Sequence, residues 1–165
     1  MKILFLDCDG VLNNRDSLNG DAPHFGDATT CWVVGIAQME LLKEIVDRTG
    51  CKIVLSSTWR LYDQGRIQLM RFFVKAGIDP TIVIGKTSLI GTERHKEIEK
   101  WLKEHPCDNF VIVDDDPDAC IEGHFVQTKF KEGLTREKTD DILSLFGSEV
   151  TNLNAEGITG ANDEV

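Results

Sequence analysis

The sequence lacks any long apolar run. No hydrophobic stretch approaches the roughly 20 residues that a membrane-spanning helix requires, and residues 1–7 meet charge too early for the apolar segment of a secretion signal. We therefore expect a protein that has no membrane partner and that is located in the cytoplasm.

Paired cysteines are missing as well. The chain has five cysteines, an odd number, and no two of them form a C-x-x-C pair. This pattern predicts reduced thiols and not a disulfide framework. With 165 residues the chain is long enough to bury a core without disulfides or a structural metal, and one domain is expected.

Positive charge is scarce, since the formal net charge is −10. A surface that clamps nucleic-acid phosphates along their length needs an excess of lysine and arginine. The composition therefore argues against broad nucleic-acid binding, and it is compatible with localised binding.

What the sequence does contain is an alternation of short apolar runs with stretches of helical periodicity. We predict strands at residues 2–6, 52–56, 81–84, 110–113 and 124–127. We predict helices at residues 35–48, 94–105 and 135–146, and one more that carries Ile67, Met70 and Val74 on one face and stops at Gly77. Residues 13–31 are predicted to form a loop or a small flap.

This alternation predicts an α/β fold with a doubly wound parallel sheet that is covered by helices on both faces. We expect the domain to span residues 1–146 and residues 147–165 to form a polar, flexible tail. In such a sheet the ligand binds beyond the carboxyl ends of the strands, so the residues that follow each strand are the candidates for a functional site.

Carboxylates are concentrated at those positions. Asp7 and Asp9 follow the first predicted strand, and residues 114–118 contain four aspartates after the fourth. Carboxylates gathered at one place repel one another unless a cation neutralises them. Oxygen ligands without a histidine or cysteine cluster suit Mg²⁺, so the sequence predicts a magnesium site. Asp116 and Asp118 are expected to be ordinary loop acids that cap the next segment.

Asp7 and Asp9 lie two residues apart, so their side chains point the same way if the backbone stays extended. We interpret Asp7 as a nucleophile that attacks phosphorus and forms an aspartyl-phosphate. We interpret Asp9 as the acid/base partner, which protonates the leaving oxygen and then deprotonates the attacking water. Gly10 permits the sharp backbone turn that follows.

Hydroxyl and cationic side chains occur near the other strand ends. The Ser56 hydroxyl and nearby backbone N–H groups can hold a phosphoryl oxygen, and Arg94 or Lys96 can offset the charge on the aspartyl-phosphate. Trp59 is expected either to stack on a base or to pack at the start of a helix. Three residues are assigned to substrate binding: Gly10, Ser57 and Arg60.

These segments together resemble the four ordered motifs of the haloacid dehalogenase (HAD) superfamily of phosphatases, and in particular the HAD domain of Swiss Army Knife RNA-repair proteins. The resemblance spans about residues 1–146 and is carried by residues 5–14 (FLDCDGVLNN), 56–60 (SSTWR), 97–102 (EIEKWL) and 113–116 (VDDD). It implies that Mg²⁺ is bound by Asp7, by the main-chain carbonyl of Asp9, and by Asp115 or, as second choice, Asp114.

The same resemblance leaves two further features open to test. The cation of the third motif aligns with Arg94, and Lys96 and Lys86 are alternatives. Neither of the gaps where this superfamily inserts a cap domain is long enough here, so we expect no full cap. An open site of this kind is associated in the superfamily with large substrates, such as nucleic-acid ends or proteins.

The interpretation from sequence is a magnesium-dependent phosphomonoesterase that acts on nucleotide or nucleic-acid terminal phosphates, such as a polynucleotide 3′-phosphatase beside a repair kinase or ligase. Alternatives are a mononucleotide phosphatase, a phosphoprotein phosphatase and a non-catalytic phosphate-binding module. A signalling receiver domain is disfavoured, because its phosphate-accepting aspartate lies in the middle of the chain, where this sequence has Ser56.

Overall fold

The computed structural model describes residues 1–91 and 93–147. The strands there are β1 (Lys2–Leu6), β2 (His24–Gly26), β3 (Val33–Gly35), β4 (Lys52–Leu55), β5 (Val83–Lys86), β6 (Asn109–Asp114) and β7 (Phe125–Gln127). The helices are α1 (Arg15–Asn19), α2 (Ile36–Thr49), α3 (Asp63–Ala76), α4 (Arg94–Glu104) and α5 (Arg136–Phe146). The predicted alternation of strands and helices is confirmed.

Five parallel strands form the main sheet, in the order β5-β4-β1-β6-β7. The central strand is β1, in which Leu6 lies opposite Leu55 of β4 on one side and opposite Val113 of β6 on the other. Because these strands run in the same direction, the residues that follow β1, β4 and β6 meet at one edge of the sheet. The predicted doubly wound α/β fold is therefore confirmed.

The sheet is buried on both faces, which explains why its strands are almost continuously apolar. Leu4 and Leu6 of β1 belong to the larger core, which lies beneath α2, α3 and α5. Ile3 and Phe5 point to the opposite face and pack in a smaller core with α4. The α4 residues that were predicted to face inward all pack there: Ile98, Trp101 and Leu102.

The inward face of α3 differs from the prediction. Ile67 and Val74 are 46% and 63% exposed, whereas Leu69, Phe72 and Phe73 are buried. Apolar side chains lie on more than one side of this helix, and the set with two phenylalanines fills the larger core. Met70, the third residue of the predicted face, does pack against the larger core, so the predicted face was wrong for Ile67 and Val74 only.

The third predicted strand, expected at residues 81–84, is β5 in the structure and begins later, at Val83. The Asp79 carboxylate accepts a hydrogen bond from the Thr81 backbone N–H at 2.9 Å and caps a short 3₁₀ turn over Pro80–Ile82. This local side-chain bond stabilises a turn where apolar residues alone suggest extended backbone.

Residues 13–31, predicted as a loop or small flap, contain the short helix α1 and the strand β2. Residues 20–35 are called the flap below. The short strands β2 and β3 pair antiparallel. The Gly35 backbone N–H donates to the Leu12 carbonyl at 2.8 Å, and the Phe25 ring stacks on Phe72 of α3 with centroids 6.4 Å apart. The flap is thus fixed both to the segment that follows Asp9 and to a core helix.

In the described part of the chain, no helix combines the length and apolarity needed to cross a membrane. The helix α5 ends at Phe146, and Gly147 is its C-cap residue. The predicted tail lies outside the described residues from residue 148 onward.

Candidate active site

Three carboxylates meet where β1 and β6 end. Asp7 follows β1, and its backbone N–H donates to the Val113 carbonyl at 3.2 Å. Asp114 ends β6, and Asp115 comes next. One carboxylate oxygen of each aspartate lies within 4.8 Å of the other two, and Asp7 and Asp114 are almost completely buried. The structure therefore brings together these strand ends as the sequence predicts.

A cation partly balances this cluster. Burial, and then the neighbouring Asp114, raise the pKa of Asp7 well above its ordinary value, and Arg94 opposes this shift. Arg94 Nη1 lies 2.6 Å from Asp114 Oδ2 and 3.4 Å from Asp7 Oδ1. Burial lowers the pKa of Arg94, but the two carboxylates outweigh burial and raise it. One guanidinium cannot balance three carboxylates, so the cluster favours a further cation.

Of the three candidate cations of the third motif, Arg94 is the one that contacts the carboxylate cluster. Lys96 is half exposed and pairs with Glu93 at 3.0 Å. Lys86 Nζ lies 3.5 Å from the Arg60 carbonyl. The prediction of Lys96 as a catalytic cation is therefore corrected in favour of Arg94, because the Lys96 side chain lies on the solvent-exposed side of α4.

The carboxylate cluster fits magnesium. Within the described residues its ligand set consists of oxygens alone, with no histidine or cysteine in the group, as a hard divalent cation prefers. Asp114 already accepts hydrogen bonds from Arg94 on Oδ2 and from the Asp116 backbone N–H on Oδ1. These bonds favour Asp115 over Asp114 as the metal ligand beside Asp7.

Asp9 is held by two donors. Its Oδ1 accepts hydrogen bonds from Asn13 Nδ2 at 2.9 Å and from Trp59 Nε1 at 3.2 Å. The buried Asn13 amide also donates to the Val33 carbonyl at 2.9 Å and accepts from the Gly10 backbone N–H at 3.0 Å. Asn13 thus links Asp9 to the flap. Sequence reasoning assigned it no role, although it lies within the segment that carries the family resemblance.

Gly10 forms the turn that the sequence predicts. Its φ is +76°, in the left-handed region that favours glycine. A Cβ at this position would lie 2.5 Å from Asp115 Oδ2. The absence of a side chain therefore serves both the turn and the close approach of Asp115, and contact of Gly10 with substrate stays a prediction.

Ser56 follows β4 and continues its pairing, since its backbone N–H donates to the Leu6 carbonyl at 3.2 Å. Its side chain is fully buried, and its Oγ has no hydrogen-bond partner among the described residues. Buried hydroxyl groups are almost always satisfied, so this one fits a ligand oxygen. The Ser57 Oγ instead accepts from the Trp59 backbone N–H at 3.1 Å, and contact of Ser57 with substrate stays a prediction.

Arg60 lies beneath the crevice and not in it. It is 2% exposed, and its guanidinium donates to the carbonyls of Ser56, Ser57 and Thr87 at 2.8–3.1 Å. It also pairs with Glu97 at 3.0 Å, which is equally buried. The structure contradicts the predicted substrate contact, because these partners engage the guanidinium. Arg60 braces the segment that carries Ser56.

An aromatic cleft opens beside Asp9. Its volume is about 270 Å³, and it is lined by Asp9, Cys31, Trp32, Thr58, Trp59 and Tyr62. Trp59 is only 2% exposed, so the packing alternative for this residue is confirmed. Trp32 and Tyr62 were not predicted at the site, because one belongs to the flap and the other follows a turn whose direction depends on the fold.

The fold and the site together define a haloacid dehalogenase domain, with an aspartate beyond the central strand and an acidic cluster beside it. The family model described as the HAD domain in Swiss Army Knife RNA repair proteins matches residues 3–139. The chain belongs to this family. A comparison with curated proteins gives no significant match.

Proposed function

We propose that the domain is a magnesium-dependent phosphomonoesterase that works through an aspartyl-phosphate on Asp7. The observation that carries this proposal is the contact of buried Asp7 with Arg94, beside Asp114 and Asp115. Phosphoryl transfer is catalysed mainly by positioning and by groups that stabilise charge. The cluster offers a nucleophile, a fixed cation and ligands for a second cation within one site.

In the first step the Asp7 carboxylate attacks phosphorus, and the bond from phosphorus to the leaving oxygen breaks. Asp9 gives its proton to that oxygen. Asn13 and Trp59 both donate to Asp9 Oδ1, so Oδ2 is the atom that carries the proton. Arg94 faces Asp7 and offsets the negative charge that gathers around it.

In the second step water attacks the phosphorus of the aspartyl-phosphate, Asp9 takes a proton from the water, and phosphate leaves Asp7. An acid/base group of this kind contributes about 10²–10⁴-fold to the rate. Asp7, Asp115 and the main-chain carbonyl of Asp9 would hold Mg²⁺, which would supply positive charge to offset the phosphoryl oxygens. The unpartnered Ser56 hydroxyl donates to one of those oxygens.

We further propose terminal phosphates of nucleotides or nucleic acids as the substrates. The family description refers to RNA repair proteins. In the described chain the gap between β1 and α2 holds a short helix and a hairpin and no full cap, which leaves the crevice accessible to large substrates. The net charge of −10 weighs against extended polynucleotide contact and makes a mononucleotide the second candidate. A cytoplasmic location and a repair kinase or ligase partner stay predictions.

The test is phosphate release from p-nitrophenyl phosphate, from mononucleotides, and from 3′- and 5′-phosphorylated oligonucleotides, with Mg²⁺ or with EDTA. We expect the wild type to release phosphate only with Mg²⁺ and Asp7→Asn to release none. Asp116→Asn is the matched control, because Asp116 is an exposed neighbour that caps a 3₁₀ turn, and it should keep the wild-type rate. Release by Asp7→Asn, or release unaffected by EDTA, would contradict the proposal.

Length dependence separates the two substrate candidates. A kcat/KM that rises from mononucleotides to longer oligonucleotides indicates a polynucleotide end as substrate. A kcat/KM that is highest for mononucleotides indicates a nucleotidase.

A further inference from the structure

The cleft beside Asp9 has three aromatic walls. The rings of Trp32 and Trp59 meet edge to face, with centroids 5.1 Å apart and planes at 84°. Tyr62 lies 5.9 Å from Trp32 and is 57% exposed. The proposed mechanism uses only the indole N–H of Trp59, so it does not account for the other two rings.

Trp32 packs closely against α3 at Gly65, which has no side chain. A Cβ at Gly65, in the first turn of this helix, would lie 2.9 Å from the Trp32 ring and 2.8 Å from the Trp59 carbonyl. Glycine is unfavourable inside a helix, but here it allows the indole to pack directly on the helix backbone. The flap therefore presents Trp32 in a fixed position, and a pre-organised surface loses less entropy on binding.

Asp9 also lines the cleft. Its proposed role as general acid indicates which part of the substrate lies there. A general acid must lie within about 2.6–3.2 Å of the leaving oxygen, so the leaving group extends from that oxygen into the adjacent space. The cleft offers such a space, because Asp9 is one of the residues that line it. Pockets for drug-sized ligands have volumes of roughly 300–1,000 Å³, and this cleft of about 270 Å³ suits one planar ring system.

We propose that the cleft binds the base of the nucleotide whose phosphate is removed, and that the base stacks on Tyr62 and Trp32. This inference rests on the proposed function, because it places the leaving group of that reaction. Every base has a π face, so aromatic stacking accepts different bases. A free mononucleotide and the last nucleotide of a chain offer the same chemistry, and the test includes both.

The first experiment compares kcat/KM for substrates with and without a base. The pairs are adenosine monophosphate against ribose 5-phosphate, and a 3′-phosphorylated oligonucleotide against the same oligonucleotide with an abasic 3′ end. Stacking of one base predicts a preference of about 5- to 150-fold for the substrate with a base. A base preference in the first pair identifies a free nucleotide as an occupant, and one in the second pair identifies a chain end.

Variants of Tyr62 test whether the cleft produces this preference. Tyr62→Ala should lower it by at least about fivefold, and Tyr62→Phe should retain it. The control is Val74→Ala, which removes an exposed apolar side chain near the other end of α3. The proposal is overturned if wild type shows no base preference, or if Tyr62→Ala and Val74→Ala behave alike.

Hydrolysis of the substrates that lack a nucleobase distinguishes failure of this inference from failure of the proposed function. Normal magnesium-dependent release from ribose 5-phosphate without a base preference overturns the cleft proposal alone. If no substrate is hydrolysed, the proposed function fails, and calorimetric binding of adenosine monophosphate and ribose 5-phosphate to Asp7→Asn decides the inference. Equal affinities overturn it, and a base preference that Tyr62→Ala removes supports it. A phosphotyrosine peptide preferred over every nucleotide would overturn the base as occupant.

Discussion

The two sides of the crevice differ in how they are built. On the charged side, Asp7, Asp114 and Asp115 lie at or just beyond the ends of β1 and β6, and Arg94 begins the helix α4. On the aromatic side, Asp9 is bordered by residues of the flap and of a turn. Under the proposed function, the sheet fixes the site of phosphoryl transfer, and the flap and turn would surround the leaving group.

The largest expected effect is on the charged side. Asp7→Asn removes the nucleophile, and turnover should fall by about 10⁴-fold or more for every substrate, whatever its leaving group. The fold should persist, because the change also removes one of three crowded carboxylates. Steady-state kinetics and thermal melting in EDTA measure the two effects. Substantial turnover by this variant would contradict the assignment of phosphoryl transfer to the charged side.

The next largest effect is expected from loss of the buried ion pair between Arg60 and Glu97, which braces the segment that carries Ser56. Glu97→Ala leaves Arg60 charged and buried without its counter-ion, and loss of one partner of a buried pair costs about 3–5 kcal/mol of stability. Denaturant unfolding measures the loss. Glu99→Ala, at an exposed position on the same helix, is the control and should change stability little. Equal effects of the two changes would contradict a bracing role for Arg60.

The loss of activity in Asp9→Asn should depend on the leaving group of the substrate. We expect a fall in kcat of about 10²–10⁴-fold for a nucleotide, whose alkoxide leaves poorly without a proton. Formation of the aspartyl-phosphate from p-nitrophenyl phosphate should fall much less, because p-nitrophenolate needs no proton to leave. Pre-steady-state release of p-nitrophenol measures this step. An equal loss for both leaving groups would count against Asp9 as the acid.

The smallest expected effect concerns the link between Asp9 and the flap. Asn13→Ala removes bonds to Asp9, to the Gly10 N–H and to the Val33 carbonyl, and should destabilise the domain by about 1–3 kcal/mol. It should also lower kcat for nucleotides, since Asp9 loses one of its two donors. Asn14→Ala is the control, because Asn14 caps α1 and its loss should cost about 1 kcal/mol with kcat unchanged. Loss of kcat in both variants would indicate general loosening of the loop.

The charged side could be predicted from the sequence because parallel strands determine where the next residues lie. Asp7, Ser56 and Asp114 each follow an apolar run or end it, and sheet pairing brings such positions to one edge. The structure was needed to choose between Asp115 and Asp114 as the metal ligand, to set Lys86 aside, and to choose between Arg94 and Lys96. Arg94 and Lys96 are two positions apart on a helix and therefore face different directions.

The aromatic side and the buried pair of Arg60 and Glu97 could not be predicted, because both depend on contacts between residues far apart in the sequence. Arg60 resembles an exposed arginine in the sequence, and its partner Glu97 lies 37 residues away. Trp32 belongs to a hairpin with strands of three residues, too short to show an alternating pattern. Its position against Gly65 follows only from the packing of the flap on α3.

The most direct test of the central claim is to identify the residue that carries the phosphoryl group during turnover. Asp9→Asn is mixed with phosphorus-labelled p-nitrophenyl phosphate and Mg²⁺, quenched in acid, and its labelled peptide is mapped by mass spectrometry. Loss of the general base should slow breakdown of the aspartyl-phosphate more than its formation, so the intermediate should accumulate. We expect the label on Asp7, and none in the double variant that also carries Asp7→Asn. Label on another residue, or a burst of p-nitrophenol with no label on the protein, would contradict the assignment of Asp7 as the nucleophile.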